Sequence, residues 1–176
     1  MRYLTKEQAR TALKAADERL KPILETFLHT GLRRDELIHL TWADIDFKNK
    51  VLSVQAKDGW HPKDYEVRHI PMTDRLIKVL QAHPKRDGSY IFRNGGGHIL
   101  DGNVLSRDFR VLFRRCGIKN ASVHILRHTF ARHLVMNGAD IYTVQKLLGH
   151  SSIKTTEIYA HLAPDYLRSA IQKLEY

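Results

Sequence analysis

The stretch from residue 122 to residue 161 contains four polar residues whose types and spacing suit phosphate chemistry. His124 and Arg127 are three residues apart, so on a helix they project from nearly the same side. His150 and Tyr159 lie at the ends of short predicted elements, where side chains are directed towards a ligand. Arginine forks bind phosphate oxygens, histidines transfer protons near neutral pH, and a tyrosine hydroxyl can be a covalent nucleophile. The stretch therefore predicts a site that binds and attacks a phosphate.

Three predicted helices position these four side chains. The first carries the histidine–arginine pair and ends at Gly138, because glycine readily adopts the left-handed conformation that closes a helix. The second is capped by Asp140 and ends at Gly149. Ser151 or Ser152 can cap a short third helix that carries the tyrosine.

The same stretch resembles the second half of the catalytic domain of the tyrosine recombinases, the phage integrase family. The segments HILRHTFARHL, LLGHSS and TTEIYAHL match the family's His-x-x-Arg, its Leu-Gly-His, and a tyrosine nine residues further on. The resemblance assigns catalytic roles to His124, Arg127, His150 and Tyr159. It implies that Tyr159 forms a 3′-phosphotyrosyl link with DNA and expels a 5′-hydroxyl. No metal, ATP or other cofactor is expected.

The segment TGLRRDEL resembles the first arginine box of the same family. A turn at Gly31 places Arg33 at a helix start, where free backbone N–H groups also favour an anion. Arg34 is the alternative from the residues alone, and the resemblance selects Arg33 because it directly follows Thr-Gly-Leu. Glu36 occupies the position of the family's acidic residue and would support Arg33 or the histidines, or else be a solvated helix carboxylate.

A β-hairpin is predicted between Val51 and Pro71, since VLSVQ and EVRHIP alternate and the segment between them contains turn residues. The family has a lysine at or just before the tip of this hairpin, and Lys57 matches it by position. Lys63 is a rival because the connection is longer than the family's usual tight turn. A lysine here would be the general acid that protonates the leaving 5′-oxygen.

The remaining pattern is mainly helical, so the predicted fold class is α+β with a small antiparallel sheet. A capping box at Thr5 predicts a first helix to about Arg19. A second helix is predicted at 22–30 and is ended by Gly31, and a third opens near Arg33 within LRRDELIHLTWADID. Further helices are predicted at 73–82 and from Asp101 or Asn103 to about Cys116. A third short strand is predicted near 42–47, and another at YIF.

Charge and composition favour a nucleic-acid partner. The 176 residues include 29 Lys and Arg against 19 Asp and Glu, a net charge of +10. A strongly basic chain favours anionic partners, with nucleic acid first and an acidic membrane surface second. The resemblance implies that the partner is double-stranded DNA. One cysteine excludes an intramolecular disulfide, and neither a signal peptide nor a membrane span is expected. The single cysteine suits a reducing cytosol, and the resemblance implies a nucleoid-associated protein of bacterial, archaeal or phage origin.

The spacing of His124 and His128 is that of a zinc helix, but the intervening residues lack the glutamate of H-E-x-x-H. No metal site is therefore predicted, and His128 is expected to be a hydrogen-bonded interior residue. Arg107, Arg110, Arg114 and Arg115 are expected on an exposed helix side, as phosphate contacts or as a solvated basic face.

The resemblance covers nearly the whole chain and implies a single catalytic domain at 1–176, without the family's N-terminal core-binding domain. It also implies a homo-oligomer on DNA, a tetramer, and suggests that the predicted helix at 162–176 packs on a neighbouring protomer. Two alternatives stay open: a catalytically silent DNA-binding remnant of the same fold, and a relaxing enzyme like the type IB topoisomerases.

Overall fold

The computed structural model of the chain describes residues 3–57, 59–62, 67–85 and 90–160. Within them the helices are α1 (Lys6–Ala15), α2 (Leu20–Thr30), α3 (Arg34–Ile38), α4 (Asp74–Ala82), α5 (Gly102–Arg115), α6 (Ile125–Met136), α7 (Ile141–Leu148) and α8 (Lys154–Glu157). The strands are β1 (Ile45–Asp46), β2 (Val51–Val54) and β3 (Arg68–Pro71). The predicted class, mainly α with a small antiparallel sheet, is confirmed.

The three strands form one antiparallel sheet in the order β1-β2-β3. The predicted hairpin is the β2–β3 pair, with Val51 opposite Pro71 and Val54 opposite Arg68. Burial alternates along β3, so Arg68 and Ile70 face inward. An arginine on the inner face of a strand is a buried charge that needs partners, and Arg68 finds them in the site described below.

The main core packs α2 against α6 and α4, and α5 against α1 and α3. Phe27 of α2 meets Phe109 of α5 edge-on, and these two rings and Phe113 are among the largest buried side chains. The Thr129 hydroxyl on α6 accepts a hydrogen bond from the backbone N–H of Leu4, at 2.9 Å, which ties the start of the chain to this helix. A second apolar cluster lies between α6, α7 and the segment after α8. Its buried members are Phe130, Ala131, Val135, Val144, Leu148 and Tyr159.

Several predicted boundaries were wrong for identifiable reasons. Helix α1 ends at Ala15 rather than Arg19, because the Asp17 carboxylate accepts the backbone N–H of Leu20 and starts α2. The long third helix is instead the five residues of α3, a 3-10 turn at Trp42–Asp44 and strand β1. The Asp44 carboxylate closes that turn by accepting hydrogen bonds from the Thr41 backbone N–H and hydroxyl.

The end of the described chain also differs from prediction. Helix α8 has Ile153 as its N-cap with no side-chain cap, so neither Ser151 nor Ser152 caps it, and Tyr159 lies just beyond its end. Tyr90 forms an isolated bridge with Thr41 in place of the predicted YIF strand. The predicted helix at 162–176 lies outside the described residues. In the part of the chain that the structure describes, no helix is long and apolar enough to cross a membrane.

A close approach at Gly31 joins α2 to α6. Gly31 ends α2 with φ +64°, and a Cβ at this position would lie 2.4 Å from Cδ1 of Phe130. Both the backbone conformation and the space therefore require glycine. The Gly31 carbonyl also accepts a hydrogen bond from Arg127, so this contact fixes one of the predicted catalytic side chains.

Gly31→Ala is expected to lower the free energy of unfolding by about 2–4 kcal/mol, because left-handed strain and overpacking add. Chemical denaturation measures the change. Gly95→Ala is the matched control, since no atom lies within 4 Å of its added Cβ and its φ is not positive. Equal stability of the two variants would contradict the packing described here.

Candidate active site

The C-terminal end of α7 binds three arginines from three other elements. The carbonyl of Leu147 accepts a hydrogen bond from Arg68 Nε at 3.0 Å, that of Leu148 from Arg127 Nη2 at 2.7 Å, and that of Gly149 from Arg33 Nη2 at 3.5 Å. The last carbonyls of a helix lack partners within it and carry the negative end of its dipole. They therefore suit three guanidiniums, and they bring the N-cap of α3, strand β3 and helix α6 to one point.

Glu36 is the carboxylate at the centre of this arginine cluster. Arg68 donates to both of its oxygens, at 2.9 and 2.5 Å, and Arg33 donates through its backbone N–H at 2.7 Å and Nη1 at 3.0 Å. Burial alone would raise the pKa of the Glu36 carboxyl, but these bonds and the nearby positive charges hold the pKa below its ordinary value. Glu36 is therefore ionised and braces Arg33, one of the two roles predicted for it.

Arg127 is only 4% exposed, and its guanidinium is held between Gly31 and Leu148, to whose carbonyls it donates at 2.8 and 2.7 Å. Burial, followed by the charge of Arg33, lowers the pKa of Arg127 to about 9, against the opposing effect of Glu36. The group is still charged at neutral pH. Three guanidiniums against one carboxylate leave an excess of positive charge here, as an anion site requires.

His150 is delivered to the arginine cluster by the end of α7. Gly149 has φ +64°, so the chain turns sharply out of the helix, and a Cβ added at this glycine would lie 2.9 Å from Cδ of Arg68. The His150 Nδ1 forms a 2.8 Å hydrogen bond with the buried Thr156 hydroxyl, which fixes the ring. His150 therefore directly follows the Gly149 carbonyl that Arg33 binds, and its catalytic role stays a prediction.

His124 is the N-cap residue of α6, one turn before Arg127. Burial lowers the pKa of its imidazole, and the charges of Arg127 and Arg33 lower it further. The same charges would be offset by a bound phosphate, which would raise this pKa again. The His124 ring also lies edge-on to the His128 ring, with centroids 4.7 Å apart.

Tyr159 is 3% exposed, and its ring packs in the apolar cluster between α6 and α7. Its hydroxyl and His128 Nδ1 share a hydrogen bond of 2.6 Å. Burial raises the pKa of the phenol, although the charges of Arg127 and Arg132 act in the opposite direction. His128 is thus hydrogen-bonded, as the sequence predicts, but it is half-buried rather than interior, and its partner is the predicted nucleophile.

Lys57 lies apart from the hydrogen bonds of the arginine cluster. Its ammonium is 2.6 Å from an Asp44 carboxylate oxygen and 2.5 Å from the His39 carbonyl, and it lies over the Trp60 ring at 5.6 Å. His39 is the C-cap of α3, whose N-cap is Arg33. The six residue steps from Arg33 to His39 separate the two backbone positions by about 9 Å, at a rise of 1.5 Å per residue. The rival Lys63 lies outside the described residues.

Three residues of this region were missed by the sequence analysis as site residues. For Arg68 the sequence contained a usable indication, because the alternation of EVRHIP places it on the same buried face of the strand as Ile70. His128 had one as well, since its i, i+4 spacing from His124 puts both rings on one helix face. For Asp44 no sequence signal existed, because its pairing with Lys57 depends on how the 3-10 turn meets the hairpin.

Among the described residues, no three His, Cys, Asp or Glu are arranged to hold a metal ion.

The sequence matches the model of the phage integrase family over residues 2–165. The chain belongs to this family. It is 34% identical over 164 residues to tyrosine recombinase XerD of Rhizobium meliloti (strain 1021), covering 88% of this chain and 50% of that protein. It is 33% identical over 184 residues to a tyrosine recombinase of Thermosipho africanus (strain TCF52B), covering 98% of this chain and 61% of that protein. This phage integrase family member therefore spans roughly half to three fifths of the length of these curated relatives.

Solved structures of the family have the same fold. The crystal structure of XerA recombinase matches with a TM-score of 0.80 and 30% identity, over 100% of this chain and 66% of that one. The catalytic domain of bacteriophage HP1 integrase matches with a TM-score of 0.76 and 28% identity, over 98% of this chain and 95% of that one. The resemblance inferred from the HILRHTFARHL, LLGHSS and TTEIYAHL segments is confirmed.

Glu36→Gln is expected to destabilise the fold at pH 7 by about 3 kcal/mol, because it leaves a buried guanidinium without its charge partner. The lowered pKa of Glu36 means that its stabilisation is complete above the unfolded value of 4.5 and is lost as the pH falls through the folded value. The difference from the unmodified chain should therefore shrink below pH 4.5. Urea denaturation at a series of pH values measures it.

The matched control for this prediction is Asp35→Asn, which removes the neighbouring carboxylate, one that is largely exposed and paired with Arg34. It should change stability little at any pH, because exposed ion pairs contribute little. A Glu36→Gln effect that does not depend on pH would mean that the carboxylate charge is not what holds the arginine cluster.

Proposed function

We propose that this chain is the catalytic domain of a site-specific DNA recombinase that cleaves and rejoins double-stranded DNA through a 3′-phosphotyrosyl intermediate, without metal or ATP. The observation that carries the proposal is the arginine cluster at the end of α7. It holds an excess of positive charge beside the buried hydroxyl of Tyr159, with His124 and His150 at its edge. This combination suits in-line attack on a phosphodiester by a protein oxygen.

Arg33 and Arg127 would stabilise the pentacoordinate phosphate, since both are held by fixed acceptors and need no rearrangement during the reaction. His124 and His150 would add hydrogen bonds to the remaining phosphate oxygens. Glu36 supports the arrangement by bracing Arg33 and does not itself face the phosphate. The phosphotyrosyl link keeps the energy of the broken phosphodiester, so rejoining needs no ATP.

Lys57 would be the general acid that protonates the 5′-oxygen as it leaves. Asp44 and the His39 carbonyl hold its ammonium at the far end of α3, so the lysine must exchange at least one of these partners to reach DNA. Lys57 lies three residues after the end of β2, and two backbone hydrogen bonds join it to Trp60. Lys63 remains the alternative acid.

Double-stranded DNA is the proposed partner. The net charge of +10 supports it, and so does the exposed face of α5 that carries Arg107, Arg110, Arg114 and Arg115. The integrase of transposon Tn1549, whose structure contains transposon right end DNA, matches with a TM-score of 0.81 and 26% identity, over 98% of this chain and 65% of that one. We extend DNA binding to this chain, together with assembly as a homo-tetramer on DNA, docking of 162–176 on a neighbouring protomer, and a nucleoid-associated location.

A covalent protein–DNA adduct tests the proposal. We expect it on nicked duplexes that lose the short 5′-hydroxyl fragment after cleavage, drawn from a pool with randomised arms because the target site is unknown. Denaturing gels would show the adduct, and sequencing of the adduct fraction would give the cleavable sequence. Tyr159→Phe should abolish the adduct and keep DNA binding, because it removes only the nucleophilic oxygen.

Tyr142→Phe is the matched control for this change, since Tyr142 is 58% exposed on α7 and should not be needed. An adduct that survives Tyr159→Phe would refute Tyr159 as the nucleophile. Binding of the pool with no adduct from the unmodified chain would favour a silent DNA-binding remnant.

A sulfur-bridged substrate separates the general acid from the phosphate-binding groups. With sulfur at the 5′ bridging position the leaving group is a thiolate, which has a conjugate-acid pKa of about 8.5 and needs no proton donor. Lys57→Ala should therefore be about 100-fold slow on normal DNA and largely rescued on this substrate. Arg127→Ala should be slow on both, because the charge that it stabilises remains.

Lys63→Ala is the control for the lysine assignment and should resemble the unmodified chain on both substrates. If Lys63→Ala shows the rescue and Lys57→Ala does not, the longer hairpin connection has moved the acid to Lys63. Rescue of neither variant would remove both lysines from this role.

A further inference from the structure

The hydrogen bond between Tyr159 and His128 joins the proposed nucleophile to a histidine that the proposed mechanism has not used. The 2.6 Å distance from Oη to Nδ1 is short for such a pair. Both groups sit on well-packed backbone: His128 is within α6, and Tyr159 packs in the cluster that α6 forms with α7. The contact therefore belongs to the architecture of the site.

We propose that His128 is the general base of cleavage, taking the phenolic proton of Tyr159 as that oxygen attacks the scissile phosphate. The inference rests on the proposed function, because it presupposes that Tyr159 is the nucleophile. It adds a third histidine to the site and makes His128 a catalytic residue, since it touches a reacting atom.

The protonation states of Tyr159 and His128 without DNA agree with a phenol that donates its hydrogen bond to the imidazole. Burial raises the pKa of Tyr159, so the hydroxyl keeps its proton at neutral pH. Burial also lowers the pKa of His128, to about 4, and the charges of His124 and Arg127 contribute, so its ring is neutral. A neutral imidazole that accepts at Nδ1 carries its proton at Nε2. An acceptor nitrogen therefore faces the proton that must leave.

Phosphate binding would improve His128 as a base. One positive group that acts on it is Arg127, which precedes it in α6, and both Arg127 and Arg132 act on the phenol. The His124 ring, at the N-cap of α6, lies edge-on to the His128 ring. Like charges disfavour protonation of an imidazole, and an anion placed between them offsets that effect. The phosphate that the arginine cluster attracts would thus favour proton uptake by His128 at the moment when the nucleophile is needed.

The step balances without a further reactant. The bond from Tyr159 Oη to phosphorus forms as the bond from phosphorus to the 5′-oxygen breaks. The phenolic proton moves to His128 Nδ1, and Lys57 supplies the proton for the 5′-oxygen. In rejoining, the 5′-hydroxyl attacks phosphorus and gives its proton back to the neutral Lys57, the bond from phosphorus to the 5′-oxygen forms as the phosphotyrosyl bond breaks, and the imidazolium of His128 returns its proton to Tyr159.

The tautomer of His128 can be measured without DNA. In a nitrogen-15 spectrum at pH 7 we expect His128 to be neutral, with the proton on Nε2 and an unprotonated Nδ1 whose resonance moves in Tyr159→Phe. A proton on Nδ1 would mean that His128 donates to the phenol, and the base assignment would be wrong.

The kinetic test uses a nucleophile that depends less on a general base. His128→Asn places an amide oxygen near the position of Nδ1, so it can keep the hydrogen bond but cannot take up a proton. Adduct formation should slow by about 100-fold, a typical contribution of a general base. Replacing Tyr159 with a fluorinated tyrosine, whose phenol is more acidic, should recover at least about tenfold in the His128→Asn background and little in the unmodified chain.

His133→Asn is the matched control, being the same substitution on the same helix, where the ring contacts Tyr3 instead. It should have the unmodified rate. His124→Asn should be slow with either tyrosine, because its role is at the phosphate; rescue of that variant, and not of His128→Asn, would make His124 the base. Faster cleavage in His128→Asn would identify the contact as an inhibitory latch and overturn the proposal.

The failures of the two proposals are distinguishable. An adduct that persists in Tyr159→Phe refutes the proposed function. An adduct that requires Tyr159 but is unchanged by His128→Asn, or is slowed by it without rescue by the fluorinated tyrosine, refutes the general-base assignment alone. Circular dichroism and binding of the DNA pool establish that each variant is folded.

Discussion

Three guanidiniums share the C-terminal end of one eight-residue helix, and the rest of the site takes its geometry from this arrangement. The carbonyls of Leu147, Leu148 and Gly149 each accept from a different arginine, and Glu36 ties two of those arginines together. Guanidiniums that bind neighbouring carbonyls repel one another, and the repulsion is stronger where little water screens it. The helix end and the carboxylate offset that repulsion, and each guanidinium has a fixed direction as a result.

The same arrangement explains why residues far apart in the chain depend on each other. Gly31 must be glycine for Phe130 to pack, and its carbonyl then orients Arg127. Gly149 must be glycine for the chain to leave α7 beside Arg68, and that turn delivers His150. The site is therefore built from backbone positions as much as from side chains, and Arg127 is positioned by its place in the packed helix α6.

The cluster remains positively charged after these contacts, and such an excess costs stability in the unbound chain. A phosphate that binds there would remove the repulsion, so ligand binding and stability should be linked. Burial of Tyr159 also has a cost in stability, because a hydroxyl in an apolar cluster needs a hydrogen-bond partner. Tyr159 has that partner in His128. The excess positive charge and the buried hydroxyl both cost stability in the unbound chain, and both are groups that the proposed cleavage reaction would use.

Local rules predicted much of this structure from sequence. The spacing of His124 and Arg127, the closing glycines after α2, α6 and α7, and the alternation of the hairpin depend on neighbours in the chain, and they were correct. The errors concern mainly long-range contacts. Nothing local to Lys57 indicates that Asp44 holds its ammonium, and Arg68 meets Glu36 across 32 residues. Helix α1 was predicted too long because its amphipathic pattern continues past the point where Asp17 starts the next helix.

The most direct test of the preformed site is a crystal structure of the DNA-free chain soaked in tungstate, a tetrahedral oxyanion located by its anomalous scattering. The account predicts tungstate bound by the guanidiniums of Arg33 and Arg127 beside His150, with Arg68 and Glu36 still paired and the α7 carbonyls still occupied. Tungstate bound elsewhere, or arginines that leave the end of α7 when the anion binds, would contradict it.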